Sequence, residues 1–344
     1  MMQNNPFKKN TAYYLTEPFV FRKRVEPFHL GSKGQAVLKT LKSAICGSDL
    51  QYYLGQKAKE KLKQRLPVIP LHEGVCLNLA TGKRVVPVAG DLTQVPKEFK
   101  GRENIYPGLP YMGSTADGLA RHYLTYPKEL LVSVPDNVGD DLACLVEPLS
   151  IIFHSLNTVI PQHYHRIAIV GDGTMSYLLA MVLHSYYQLP KPLLTVYGIW
   201  DSKLAKFSEF ANTINTDTQD VEGQADIIFE AVGGPEMQRT LDVCLKLCAP
   251  GSLIGIIGIS DSRPSLAVSK LVNWGVTIKG LTRSTYFDYK QSLTYMADYK
   301  MQKYLQKFIH PRQFTINSAT DLKEAFDFAV ETHAPGRILI SFPV

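Results

Sequence analysis

The chain has 344 residues, 45% of them hydrophobic and 20% charged, an ordinary globular balance with room for two domains and a large core. Its formal net charge of +6 comes without a basic stripe interleaved with aromatic residues, so a nucleic-acid partner is not implied. No apolar run reaches the roughly 18 residues of a membrane span, and the basic start MMQNNPFKKNTAYY is not followed by an apolar segment, so neither a span nor a signal peptide is expected and the compartment is read as the cytoplasm.

The first half, to about residue 155, holds short apolar runs broken by Gly and Pro, among them GQAVLKTLKSAICG, KRVVPVAG, GLARHYLTY and LLVSVPDNV, the pattern of a mostly β domain. Within it AICGSDLQYYLG carries a lone thiol, Cys46, with four candidate roles: core residue, disulfide partner, nucleophile or metal ligand. The disulfide role is the weakest, because the five cysteines are odd in number and scattered. The basic stretch QKAKEKLKQR follows, and Lys57 and Arg65 within it either belong to a solvated face or rim an anionic substrate. PLHEGV then supplies His72 and Glu73, and LVEPLS supplies Glu147. Each is bland alone; with Cys46 they make the kind of mixed donor set that a catalytic zinc uses, three protein ligands plus an exchangeable position, with Asp49 available behind them.

From Arg166 strands and helices alternate: RIAIVGDG, TMSYLLAMVLHSYYQL, PLLTVYGI, DSKLAKFSEFA, ADIIFEAVGG, EMQRTLDVCLKLC and SLIGIIGIS. The rhythm is that of a doubly wound parallel sheet, an α/β body covered by helices on both faces. Gly171 and Gly173 stand between the first strand and its helix, whose opening residues are Thr174 and Met175. There they either cradle a dinucleotide pyrophosphate at the helix N-terminus or simply make a tight turn. The second strand ends at Gly198 with no acid to pair ribose hydroxyls, and Asp201 is read as the N-cap of the next helix. Ser202 and Lys203 then become candidates for a 2′-phosphate, favouring NADP(H) over NAD(H), although Lys203 also suits an exposed helix position. On this reading Gly198→Asp would turn the preference toward NAD(H). Gly233 and Gly258, near the ends of the next two strands, complete the candidate cofactor contacts. Cys244 and Cys248, four apart, read as core packing. A helical stretch to about Phe308, one more helix and a closing strand end the chain, giving expected domains of 1–155 with 309–344 returning to it, and 156–308.

The ordered series ICGSDLQYY, HEGV, GKRVVPV, GSTADGLARHYL, VPDNV, EPLS, VGDG and EAVGG resembles the zinc-containing medium-chain alcohol and polyol dehydrogenases over nearly the whole chain. The resemblance implies a GroES-like catalytic domain, a Rossmann cofactor domain and one catalytic zinc bound by Cys46, His72 and a carboxylate, Glu73 or Glu147. It also implies that Ser48 is the first proton acceptor, and a homo-oligomer, dimer or tetramer, is expected. Two departures are visible. GDLTQVPKEFKGRENIYPGLPYMGST lacks the four cysteines that hold a structural zinc in many relatives, so none is expected, and Gln51 replaces a histidine that relays the proton. Within the family the chain is similar to the NADPH-dependent ribulose-5-phosphate reductases, which make ribitol 5-phosphate, and that likeness adds Arg283 of GLTRS as a substrate residue. The alternatives are a dehydrogenase of an unphosphorylated polyol or secondary alcohol, and a catalytically silent dinucleotide-binding protein.

Overall fold

The structure is a computed structural model that describes residues 9–221, 223–332 and 336–343; most of the basic start lies outside the described residues. Two compact units emerge: the first runs to Ser150 and resumes at Arg283, and the second spans Ile151–Thr282. Among the described residues no helix is long and apolar enough to cross a membrane.

In chain order the first unit contains β1 (Lys9–Glu17), β2 (Val20–Pro27), β3 (Gln35–Ala44), α1 (Gly47–Tyr53), α2 (Lys59–Arg65), β4 (Glu73–Asn78), β5 (Lys83–Pro87), β6 (Tyr123–Pro127), β7 (Leu131–Ser133), α3 (Asp140–Ala143) and the start of α4 (Val146–Val159). The second contains β8 (Ile167–Val170), α5 (Thr174–Ser185), β9 (Leu194–Gly198), α6 (Asp201–Leu204), β10 (Asn212–Asn215), β11 (Ala225–Glu230), α7 (Met237–Leu247), β12 (Cys248–Ile256), α8 (Val268–Trp274) and β13 (Thr277–Gly280). The chain then returns to the first unit with α9 (Tyr286–Met296), α10 (Tyr299–Gln306), β14 (Phe314–Thr315), α11 (Ala319–Glu331) and β15 (Leu339–Ser341).

The first unit is the mostly β, GroES-like body. Its main sheet runs β14-β15-β3-β4-β5-β7 with β6 also on β3, and β1 and β2 form a separate hairpin. β3 alternates half-buried and buried positions from Gln35 to Leu41, carrying core on one face, and the alternation breaks at Lys42, where its register with β4 shifts. Its register fixes the site: Ala44 lies opposite Glu73 of β4 on one side and opposite Leu339 of β15 on the other, both antiparallel. The pairing extends one step past the strands, the Ile45 N–H donating to the Ile338 carbonyl at 3.1 Å, which brings Arg337 to the Cys46 end of the sheet. Beside the sheet Phe21, Tyr53 and Phe326 interlock, with ring centroids 4.9–5.5 Å apart.

The second unit is a Rossmann body. All its strands are parallel in the order β10-β9-β8-β11-β12-β13, so the strand order reverses between β8 and β11, where doubly wound sheets take ligands at their carboxyl ends. β8 reads IAIV and every residue is buried, as a strand covered on both faces requires. Cys244 and Cys248 sit in the core of this unit with Ile228 and Ile254.

Three details depart from expectation. The helix expected over DSKLAKFSEFA is regular only through Leu204 and then tightens into a 3₁₀ turn; Asp201 is its first residue, with Trp200 at the cap, and the Asp201 carboxylate accepts from the Asn215 side chain at 2.7 Å. β10 and α8 have no counterpart among the expected elements. Residues 283–308 belong to the first unit, not the second, because their polar anchors lie there: the Ala89 N–H donates to the Tyr289 hydroxyl at 3.0 Å, and the Gln302 amide donates to the Asn137 carbonyl at 2.9 Å.

Candidate functional site

Two donor groups overlap in the first unit, Cys46 with Asp49 and His72, and His72 with Glu73 and Glu147; within each group the ligand atoms lie within 4.8 Å of one another. The local folding explains the convergence. Cys46 caps the N-terminus of α1, and its own N–H donates to Asp49 Oδ2 at 3.1 Å. Asp49 Oδ1 accepts the Leu71 N–H at 3.0 Å and stands 3.8 Å from His72 Nδ1, so one buried carboxylate ties the thiol loop to the histidine loop and orients the imidazole. Both Asp49 oxygens thus already face protein groups, Oδ2 the Cys46 N–H and Oδ1 the Leu71 N–H. Leu71, at φ 77°, is pressed from behind by Gly118, where any Cβ would fall 2.0 Å from the Leu71 carbonyl.

The two glutamates differ in their surroundings. Glu73 is fully buried; its Oε1 accepts from Arg337 Nη2 at 2.7 Å, and its Oε2 has no hydrogen-bond partner among the described residues. Glu147 lies in the first turn of α4 and accepts the Tyr111 hydroxyl at 2.6 Å, while the Tyr111 ring meets His72 edge-on at 5.8 Å. Arg337 also lies 3.8 Å from Cys46 Sγ. Neither Arg337 nor Tyr111 was expected from the sequence.

Electrostatics follow from this crowding. Burial works to raise the Cys46 thiol, but Arg337 and His72 outweigh it and bring it down to about 6. Burial works to lower His72, and Asp49, Cys46 and Glu147 carry it well above the usual imidazole value. Glu73 is driven well above the carboxylate range by burial, with Cys46 and Glu147 adding to it and Arg337 opposing. Four acidic groups, Cys46, Asp49, Glu73 and Glu147, thus face two basic ones, His72 and Arg337. A surplus of soft and hard anionic donors around one imidazole, with an orphaned carboxylate oxygen among them, suits a borderline divalent cation such as Zn²⁺.

The other candidates in this unit lie in varied settings. Ser48 is half-buried in the first turn of α1. Lys57 donates its ammonium to Gln51 Oε1 and lies over the Tyr52 ring at 5.7 Å. Arg65 is half-buried in the last turn of α2, a helix with no buried residue. Arg283 donates one nitrogen to the carbonyls of Asn104 and Tyr106, at 3.2 and 2.7 Å, and so pins the cysteine-free segment, which folds as three 3₁₀ turns.

In the second unit Gly171 follows β8 at φ 128°, a conformation that favours glycine, and a Cβ there would fall 2.8 Å from Val232. Gly173 caps α5 with nothing within 4 Å of where its Cβ would stand, and Thr174 and Met175 are half-buried in the first turn, so the helix N-terminus opens onto space that an anion could fill. Gly233 and Gly258 pack backbone on backbone: a Cβ on Gly258 would fall 2.4 Å from the Gly233 nitrogen. Ser202 is exposed, and the Lys203 ammonium lies 5.8 Å from the Trp200 ring. Gly198 is not the vacant ribose position expected: Asp172 fills the space, and a Cβ on Gly198 would fall 2.7 Å from Asp172 Cβ and 2.9 Å from Leu204. An aspartate at position 198 would have to displace the Asp172 and Leu204 side chains before its carboxylate could reach a ribose.

No family profile matches the sequence. The chain is 25% identical over 323 residues to the ribulose-5-phosphate reductase of Bacillus spizizenii, covering 90% of this chain and 92% of the relative. Among solved structures it superposes on Staphylococcus aureus TarJ in complex with NADPH with a TM-score of 0.82 at 22% identity, covering 98% of this chain and 100% of that one. It superposes on L-idonate 5-dehydrogenase from Escherichia coli with a TM-score of 0.84 at 18% identity, covering 97% and 98%.

Proposed function

The chain belongs to the medium-chain alcohol and polyol dehydrogenases, and from that premise we propose that it is a zinc-dependent, NADP(H)-linked oxidoreductase interconverting a keto-sugar phosphate and a polyol phosphate, with ribulose 5-phosphate and ribitol 5-phosphate as the best pair. The observation that carries the metal chemistry is the pair of donor groups that share His72, Cys46 with Asp49 on one side and buried Glu73 with Glu147 on the other, with one Glu73 oxygen unpartnered among the described residues. Cys46, His72 and Glu147 or Glu73 would hold the ion, Arg337 and Tyr111 fixing which carboxylate oxygens stay available.

When bound, zinc supplies Lewis acidity toward a carbonyl or alcohol oxygen and the nicotinamide supplies or accepts hydride. The chain's residues do the rest. Asp49 holds His72 in orientation, the Cys46 thiolate is available at neutral pH, and the Ser48 hydroxyl is the group assigned to pass a proton to or from the substrate oxygen. Lys57, Arg65 and Arg283 are assigned to the substrate's phosphate or hydroxyls. A second reading, an unphosphorylated polyol, is favoured by the partial commitment of Lys57 to Gln51 and of Arg283 to backbone carbonyls.

The named activity of the Bacillus relative and the NADPH bound by TarJ support the substrate and cofactor assignments. Ser202 and Lys203 support a 2′-phosphate. We assign a homo-oligomer, dimer or tetramer: among the described residues β13 ends the parallel sheet with an unpaired edge, and Val268 and Val272 of α8 stand 61% and 73% exposed, surface that a second copy would cover. The cytoplasm is assigned as the compartment on the five free cysteines. The test of the metal assignment is zinc content of Cys46→Ser against the parent protein. One zinc per parent chain, lost together with turnover in the variant, is expected; a metal-free active parent refutes it.

A further inference from the structure

The loop between β8 and α5 places an acid, Asp172, between its two glycines. Asp172 Oδ2 accepts two backbone N–H groups from the far side of the sheet edge, those of Ile199 and Trp200, each at 2.9 Å. Its Cβ and carboxylate occupy the volume beside Gly198, which is why β9 ends on a residue with no side chain. The turn it grips is held from other directions too: the Thr216 N–H donates to the Gly198 carbonyl at 2.8 Å, and the Asn215 side chain donates to the Ile199 carbonyl at 3.3 Å and to Asp201 at 2.7 Å. Asp172 Oδ1 has no hydrogen-bond partner among the described residues, and the side chain is only half-buried.

In dinucleotide-binding sheets the acid that pairs the adenosine ribose hydroxyls comes from the end of the second strand, and it disfavours a 2′-phosphate there. Here the strand end is glycine and a carboxylate reaches the same space from the phosphate loop. We propose that Asp172 is the residue that sets the balance between NAD(H) and NADP(H), an inference that rests on the dinucleotide-binding reading of this unit. Its carboxylate acts twice against a 2′-phosphate: it places a negative charge at the strand end, and it uses two amide N–H groups that would otherwise donate to the phosphate. Lys203 and the exposed Ser202 hydroxyl act in the opposite direction. The cofactor preference is the resultant of these groups, and Asp172 is the one that lowers it.

The test is equilibrium binding of NADPH and NADH, by calorimetry and by quenching of Trp200 fluorescence, to the full-length protein and to Asp172→Asn and Asp172→Ala. Asparagine removes the charge and keeps the acceptor for the two N–H groups; alanine removes both. For charges several ångströms apart near a surface, losing the repulsion should raise the NADPH-to-NADH affinity ratio by about fivefold to fiftyfold in Asp172→Asn. The gain should shrink as salt rises. Lys203→Gln should move the ratio the other way. A ratio within twofold of the parent in both Asp172 variants, or an equal loss of both cofactors, overturns the inference and leaves Asp172 as a buttress of the turn. If the unmodified protein binds neither cofactor, it is the dinucleotide reading that fails.

Discussion

Replacing Arg337 by methionine isolates the contact that no motif announced. The substitution deletes the 2.7 Å bond to Glu73 Oε1 and the contact with Cys46 Sγ, while methionine fills most of the same volume. Glu73 has no exposed side-chain surface and its other oxygen is unpartnered among the described residues, so its charged form would lose its one ion-pair partner and keep only the weaker influence of His72. Breaking a buried ion pair from one side costs about 3–5 kcal/mol. At about 1.4 kcal/mol per factor of ten, that is roughly two to three and a half orders of magnitude in an opening equilibrium. The assay is hydrogen exchange in zinc-stripped protein, read at the slowest amides of β3, β4 and β15, the strands whose register joins the two residues. Burial already holds the Glu73 carboxyl above its unfolded value, and losing Arg337 raises it further. A raised carboxyl is accommodated below the unfolded pKa and costs stability as pH climbs through the folded one, so the loss should be larger at pH 8 than at pH 5. Arg337→Met with Glu73→Leu should recover most of it, because an apolar pair of similar volume replaces a buried ion pair at little cost. Acceleration of less than tenfold at pH 8, or no recovery in the double variant, would refute the reasoning.

Alkylation of Cys46 in metal-stripped protein should rise with pH around a midpoint near 6, below the roughly 8.5 of a free thiol, because Arg337 and His72 favour the thiolate; a midpoint above 8 would contradict the charge balance described. Lys57→Ala or Arg65→Ala should lower kcat/KM for ribulose 5-phosphate by roughly one to two orders of magnitude, the value of a charge-assisted hydrogen bond of about 1.5–3 kcal/mol. Values within twofold of the parent for both would leave α2 as a solvated face. Gly198→Asp should weaken NADH and NADPH binding together, since its Cβ would fall 2.7 Å from that of Asp172; a clean switch to NADH would show that the loop yields.

Much of this was legible in the sequence, for identifiable reasons. Cys46, His72 and Glu147 are residue types whose joint occurrence with apolar flanks has few other uses, and the unbroken buried run of β8 before a glycine pair announces a parallel strand and its phosphate loop. Arg337 was not legible: it lies 264 residues from Glu73 and reaches it only through the antiparallel register of β15 on β3. Tyr111 sits in an isolated antiparallel bridge to Gly90, outside any strand whose periodicity could mark its direction. Asp172 carries no sequence signal of its own, because its effect on Gly198 depends on the parallel pairing of β8 with β9. β10 was missed because three of its four residues, NTIN, are polar and its first two are exposed. α9 and α10 were read as helical, but which body they return to is set by Tyr289 and Gln302 reaching Ala89 and Asn137, contacts that amphipathicity does not encode.

The most direct measurement is a turnover panel with the zinc-loaded protein, NADPH and NADH against ribulose 5-phosphate, xylulose 5-phosphate and their unphosphorylated forms. The account predicts NADPH-dependent reduction with a phosphorylated keto-pentose as the best substrate, abolished by chelation and restored by zinc. Equal or faster turnover of the unphosphorylated ketose would contradict the polyol-phosphate assignment, and turnover that survives complete removal of zinc would contradict the role given to Cys46, His72, Glu73 and Glu147.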